Sequence, residues 1–260
     1  MRLCTFLDAG TPRVGRVEGD HVIPLAAPDL VTLIRGGDAG EAGPPVPLNR
    51  VSLTAPLRPV KLLGVVRNYA LHAAEMREEA PPDPQLFSKL VTAVTGPDGP
   101  VVHPDVTGQL DYEGELAVVI GQRAKAVSRE AAASHIFGYT CANDVTAMEL
   151  IGRDPSFPQW ARAKGMEGFG AFGPVIETDF DPASAALRTL VGGREGQNYP
   201  LADMFFSPAE LVHRLSQDMV LEPGDVILCG TSLGVLPMKP GTTVEVVIEG
   251  IGSLANVYGG

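Results

Sequence analysis

Hydrophobic residues along this chain come in short runs broken by Gly, Pro, Asp and Asn, a pattern of strands and turns with a few short helices. Residues 3–7, 13–17 and 21–24 read as short strands. A short helix over 29–35, capped by Asp29, and a Gly/Ala/Pro loop over 36–47 follow. Strands are predicted at 51–53, 61–66 and 84–89, with a helix from Tyr69 between the last two. The run Leu116-Ala117-Val118-Val119-Ile120 is continuous and ends at Gly121, which marks a strand buried on both faces. Ser128 caps a helix over 129–136, a strand over 137–147 carries Asn143-Asp144, and 165–174 is Gly-rich loop. Residues 175–202 are strand, loop and hairpin material with turns at Asp181-Pro182 and Gly192-Gly193. Ser207-Pro208-Ala209-Glu210 starts a helix, and strands at 226–229, 243–248 and 254–258 complete the chain. No internal repeat is visible.

Composition sharpens this picture. A length of 260 residues suits one large domain with a small appendage. We divide it into an N-terminal module over 1–57 and a main domain over 58–260. Thirty Gly and 23 Pro favour a sheet-rich fold over a helix bundle. The net charge of −11 excludes nucleic acid and anionic membranes as partners, so an anionic substrate needs local cations or a metal to hold it. Cys4, Cys141 and Cys229 are far apart and odd in number, without a disulfide or zinc pattern. An acid at Asp8 comes too early for a signal peptide, and no apolar run spans a membrane; a cytoplasmic location is expected.

Candidate chemistry gathers at Asp111-Tyr112-Glu113-Gly114-Glu115. On a strand the three acids share a face, where they repel one another unless a cation lies between them. A hard divalent ion answers that need, and a solvated acidic edge is the ordinary alternative. Asp144, an acid at a strand end, is a third ligand or a helix cap. His72 and Glu75 share a helical face, either as a general-base pair or as a surface ion pair. Residues 76–84 have the composition of a lid or a linker. Lys89 points either inward or to solvent. Arg162 and Lys164, ahead of the Gly-rich segment, are either carboxylate-holding cations or a basic turn. Gly230-Thr231-Ser232 is a carboxylate seat or a plain turn.

These stretches occur in an order that resembles the fumarylacetoacetate hydrolase (FAH) family, in its acylpyruvase-like and 2-hydroxyhepta-2,4-diene-1,7-dioate isomerase-like branch. The motifs are Arg67-Asn68-Tyr69…His72…Glu75, Asp111-Tyr112-Glu113-Gly114-Glu115-Leu116 and Gly138-Tyr139-Thr140…Asn143-Asp144-Val145-Thr146-Ala147. Trp160…Arg162…Lys164, Pro223-Gly224-Asp225…Gly230-Thr231…Gly234-Val235 and Ile248-Glu249-Gly250-Ile251-Gly252 complete them, over about residues 60–258. The resemblance implies an α+β, mainly β fold: an FAH-type mixed β-roll or β-sandwich with short helices, plus the small N-terminal β-rich module. It implies a homodimer and a bound Mg²⁺, Mn²⁺ or Ca²⁺ held by Glu113, Glu115 and Asp144; Asp111 matches a motif position that is not a ligand. It further implies a general-base pair in His72 and Glu75, catalytic Lys164, and substrate contacts at Lys89, Thr231 and Arg67.

The family chemistry so implied starts from a 2-oxo acid chelating the metal. The leading expectation is hydrolytic C–C cleavage of a 2,4-dioxo (acylpyruvate-type) acid through a metal-bound enolate. An isomerase, tautomerase or decarboxylase on a related 2-oxo acid is the nearest alternative, and a non-catalytic metal- or ligand-binding homologue is the second. The chain departs from the family pattern where Met148-Glu149 replaces an Arg-Asp pair. That arginine commonly holds the substrate's acid end, so its loss argues for a different or less acidic substrate. Gly165, Met166 and Glu167 likewise replace Ser, an aromatic residue and Asp.

Overall fold

The computed structural model describes residues 1–77, 79–106 and 108–259. Among them, twelve strands form one large sheet and four form a second. The large sheet runs Val46–Pro47, His21–Pro24, Thr11–Glu18, Arg2–Asp8, Gly170–Glu177, Ile136–Asp144, Gly114–Ile120, Val226–Leu228, Leu62–Val66, Gln85–Lys89. Ser52–Leu53 pairs with Arg2–Asp8, and Val94–Thr95 with Gly170–Glu177. The sheet is mixed: Val226–Leu228 lies parallel to Leu62–Val66 and antiparallel to Gly114–Ile120. The second sheet orders Arg194–Pro200, Ala186–Val191, Thr243–Ile248 and Gly252–Val257. This is a mainly β architecture with short helices, and the N-terminal strands continue the main sheet.

Gly114–Ile120 is the central strand, buried at every position. Strand alternation sends its residues into two different cores. Leu116, Val118 and Ile120 enter a cluster with Leu187, Val246, Ile248 and Leu254 of the second sheet and Leu211 and Leu215 of helix Pro208–Asp218. Ala117 and Val119 enter a cluster with Leu3, Val14, Leu30 and Leu57 of the N-terminal module. A strand covered on both sides has no polar face to show, which explains its unbroken apolar run.

Three predicted caps form: Asp29, Ser128 and Ser207 each accept a backbone N–H from the first turn of their helix. Elsewhere the elements differ from the sequence reading. Residues 165–174 are not simply loop, because Gly170–Glu177 is a strand between Ile136–Asp144 and Arg2–Asp8. Its glycines belong to close strand packing rather than to a turn. Trp160–Lys164 is a short helix that the sequence did not announce. The helix after Asp144 starts only at Met148, so Asp144 caps nothing. The helix over 129–136 ends in a 3-10 turn at Ala133–His135, and Ile136 already belongs to a strand. Part of the suspected lid, Glu78, lies outside the described residues. Its far end is tied down, since Arg214 binds the Asp83 carboxylate at 2.7 Å and the Pro82 carbonyl at 3.0 Å.

Leu30, 1% exposed, joins the N-terminal module to the main sheet. Leu30→Ala is expected to lower stability by about 2–5 kcal/mol in a single cooperative transition followed by denaturant. A separate early transition would show that residues 1–57 unfold on their own.

Candidate active site

Two antiparallel strands bring the acids together. Gly114–Ile120 and Ile136–Asp144 pair with Asn143 opposite Gly114 and Ala142 opposite Glu115. The start of one strand therefore meets the end of the other, and the Asp144 N–H donates to the Glu113 carbonyl at 2.8 Å. Glu113, Glu115 and Asp144 offer carboxylate oxygens that all lie within 4.8 Å of one another. Glu115 and Asp144 are 1% exposed. Asp111, expected on the same face, is not in this group. The regular strand begins only at Gly114, and Asp111 sits in isolated bridges to Thr146 and Pro237.

Two buried lysines face the acids. Lys164 Nζ lies 2.8 Å from Glu113 Oε2 and 2.5 Å from Asp144 Oδ2. Lys89 Nζ lies 2.6 Å from Asp144 Oδ1. Lys89 also donates to the carbonyls of Lys164 (2.6 Å), Phe169 (2.7 Å) and Val145 (3.2 Å). Apart from this ammonium, Asp144 Oδ1 has no hydrogen-bond partner among the described residues. Lys89, expected to touch substrate, is 1% exposed and ties together three backbone segments. Phe87 lies under Lys164 Nζ at 4.8 Å and stacks on Trp160 at 5.7 Å. Gly64 makes room for it: a Cβ there would fall 2.0 Å from Phe87 Cζ.

The electrostatics are those of charges removed from water. Burial, with Asp144 and Glu113 beside it, pushes the Glu115 carboxyl well above its usual range. Burial raises Glu113 too, against the pull of Lys164. Lys89 is pushed down to about 8 by burial, which the attraction of Asp144 only partly offsets. Burial also opposes the charge of Lys164, but Asp144, Glu113 and Glu115 outweigh it and raise its pKa. Three carboxylates against two ammoniums leave one negative charge in excess.

A divalent cation fits this donor set. Oxygens sharing Ca²⁺ at about 2.4 Å are at most about 4.8 Å apart, and those sharing Mg²⁺ at about 2.1 Å are at most about 4.2 Å apart. The oxygens are all hard donors. Glu113, Glu115 and Asp144 would hold the ion.

The other expected residues stand as follows. His72, on helix Ala70–Met76, is 3.9 Å from Glu75 through Nδ1, too far for a hydrogen bond, and that buried nitrogen has no hydrogen-bond partner among the described residues. The helix is anchored at its start by Asn68, whose amide binds Phe206 and the Cys229 carbonyl. The neighbouring Gly230 N–H donates to Glu115 Oε2 at 2.7 Å. Arg67 precedes this anchor, exposed and in the left-handed conformation (φ 59°). Thr231 donates to the Gly114 carbonyl at 2.9 Å and accepts from Gln197 at 2.8 Å. The sequence reading missed Thr146, which donates to Glu113 Oε1 at 2.5 Å, and Asn143, which accepts the Glu113 N–H at 3.1 Å. Both lay inside a quoted motif, and their position beside the acids was the available signal. It also missed Gln197 and Tyr199, for which no local signal existed.

The profile of the fumarylacetoacetate (FAA) hydrolase C-terminal family matches residues 61–258, and an Rv2993c-like N-terminal profile matches residues 1–56. The chain is 40% identical to the oxaloacetate tautomerase YisK of Bacillus subtilis, over 82% of this chain and 74% of that one. It is similar to the crystal structure of 5-carboxymethyl-2-hydroxymuconate delta-isomerase from Mycobacterium smegmatis, with TM-score 0.88, 38% identity and coverage of 100% and 99%. A fumarylacetoacetate hydrolase from Exiguobacterium antarcticum gives TM-score 0.90 at 35% identity, with coverage of 100% and 99%.

Lys89→Met removes the ammonium from beside Asp144 and leaves three carbonyls without their donor. Denaturant titration is expected to show a loss of about 3–5 kcal/mol, as for other broken buried pairs. A loss below about 1 kcal/mol would mean that Lys89 does not hold these segments together.

Proposed function

The chain belongs to the fumarylacetoacetate hydrolase family, and on that premise we propose that it catalyses proton transfer next to the keto group of a 2-oxo acid, as a keto–enol tautomerase or double-bond isomerase. The observation that carries this reading is the dry group of Glu113, Glu115 and Asp144 faced by Lys164 and Lys89. It is built to hold a cation and, once charged by it, an anion. The tautomerase and isomerase names carried by similar proteins support the same class, with oxaloacetate as a first candidate substrate. Hydrolytic C–C cleavage of an acylpyruvate-type acid is the second reading, favoured by the His72…Glu75 pair.

When bound, Mg²⁺ or Mn²⁺ supplies Lewis acidity that polarises the 2-oxo group. The chain's residues do the rest. Lys164, held protonated by its acidic neighbours, places a fixed positive charge where negative charge gathers on the keto oxygen. His72 is the general base that the family resemblance implies; its Nδ1 is buried without a hydrogen-bond partner among the described residues, and in this reading the imidazole takes up the α-proton and returns it at another carbon or oxygen. Burial of Glu115, Asp144 and Lys164 keeps bulk water from these charges. Proton transfer needs only this set, whereas hydrolysis also needs an activated water. A cytoplasmic homodimer acting on a free small molecule completes the proposal.

The test is ultraviolet absorbance of enol-oxaloacetate with metal-stripped protein and after Mg²⁺ or Mn²⁺ is restored, with acylpyruvates followed in parallel by mass spectrometry. Activity is expected only with metal, and Glu113→Ala should lose both metal binding and turnover. His72→Ala should keep the metal and lower kcat by about 100-fold or more. Wild-type turnover by His72→Ala would place the base elsewhere. Appearance of two acids from an acylpyruvate, without enol conversion, would select the hydrolytic reading.

A further inference from the structure

The second sheet reaches into the carboxylate site through one side chain. Glu113 and Glu115 point to one face of their strand, so Gly114 between them faces the other. There it meets the second sheet so closely that a Cβ would lie 2.1 Å from Thr189 Oγ1 and 3.0 Å from Gln197 Oε1. Thr189 and Gln197 are partners across the hairpin Ala186–Val191/Arg194–Pro200. Gln197 is 2% exposed, and its amide is fully engaged. Its Oε1 accepts from the Gly114 N–H at 3.0 Å and from Thr189 Oγ1 at 2.8 Å. Its Nε2 donates to Thr231 Oγ1 at 2.8 Å and to the carbonyls of Ser232 and Leu233 at 3.2 Å. Two donors at the oxygen and three acceptors at the nitrogen allow the amide one orientation. Two residues on, the Tyr199 hydroxyl donates to the Gly114 carbonyl at 2.5 Å, beside the bond from Thr231.

We propose that Gln197 is a positioning residue that sets the spacing of Glu113 and Glu115 by holding the Gly114 N–H directly and the Gly114 carbonyl through Thr231. The inference rests on the metal reading of the carboxylate group. Gly114 separates the two ligands, so any rotation of its peptide planes changes the distance between their carboxylates. Both its N–H and its C=O are gripped by side chains of the second sheet. Gln197 also holds the loop that starts at Gly230, the donor to Glu115 Oε2. The same amide therefore constrains the ligand strand and the loop that aims one of the ligands.

The test is calorimetric titration of the full-length, metal-stripped protein with Mn²⁺, for wild type, Gln197→Met, Thr189→Val and Glu115→Gln. Gln197→Met keeps side-chain length and removes every bond. Its Mn²⁺ affinity is expected to fall about 10–100-fold, the usual effect of losing a group that orients metal ligands, at unchanged far-ultraviolet circular dichroism. A merely structural role would lower the Tm of the metal-free protein and leave the Mn²⁺ Kd alone, and that result overturns the proposal. If Gln197→Met does not fold, Thr189→Val decides: it removes one of two donors at Oε1, and wild-type affinity there overturns the clamp. Binding lost in Glu115→Gln but intact in folded Gln197→Met refutes the clamp and spares the metal site. A wild-type protein that takes up no Mn²⁺ overturns both.

Discussion

Mutual repulsion of three carboxylates held out of water is the constraint around which this molecule is arranged. Register creates it: with Asn143 opposite Gly114, the acids of two antiparallel strands cannot avoid one another. Burying such charges without partners costs far more than a domain's net stability, so compensation has to be built in. Lys164 arrives from helix Trp160–Lys164 and Lys89 from edge strand Gln85–Lys89, elements distant in sequence. The compensation stops one charge short, and that shortfall makes the site receptive to a cation.

The two cores follow from the same strand. Its even-numbered residues face the second sheet and its odd-numbered residues face the N-terminal module. The chemistry stands where the odd-numbered row passes from Val119 and Ala117 to Glu115 and Glu113. Apolar burial thus fixes the height and direction of the acids before any polar contact forms. The Thr146 hydroxyl and the Gly230 amide then donate to the Glu113 and Glu115 carboxylates, and Asn143 accepts the Glu113 N–H.

Much of this was legible in the sequence, for physical reasons that can be named. Residues 21–24 and 243–248 were read with their observed bounds, because each is an apolar run closed by a turn. The caps at Asp29, Ser128 and Ser207 were legible because capping is a local bond. Strand parity gave Glu113 and Glu115 a common face, and its place at a strand end made Asp144 a candidate third ligand. Parity misled at Asp111 because the alternation holds only where the strand is regular. For Lys89 the inward and solvent-facing readings stayed open, because a sequence does not show which carbonyls await a lysine. Gln197 was invisible: in a polar hairpin it resembles any solvated residue, and only the close approach across Gly114 reveals its burial. Strand Gly170–Glu177 was hidden by its glycines, whose turn-forming habit is overridden when strands cover both edges.

The pairing of Phe87 with Trp160 has a practical side. Trp160 is the sole tryptophan of the chain. Its ring stacks on the phenyl group that lies beneath the Lys164 ammonium. Ligands that shift this ammonium would alter the field and the packing felt by the indole, and no second indole would dilute the change. The protein therefore carries an intrinsic optical reporter beside its charged centre, readable by fluorescence without a label.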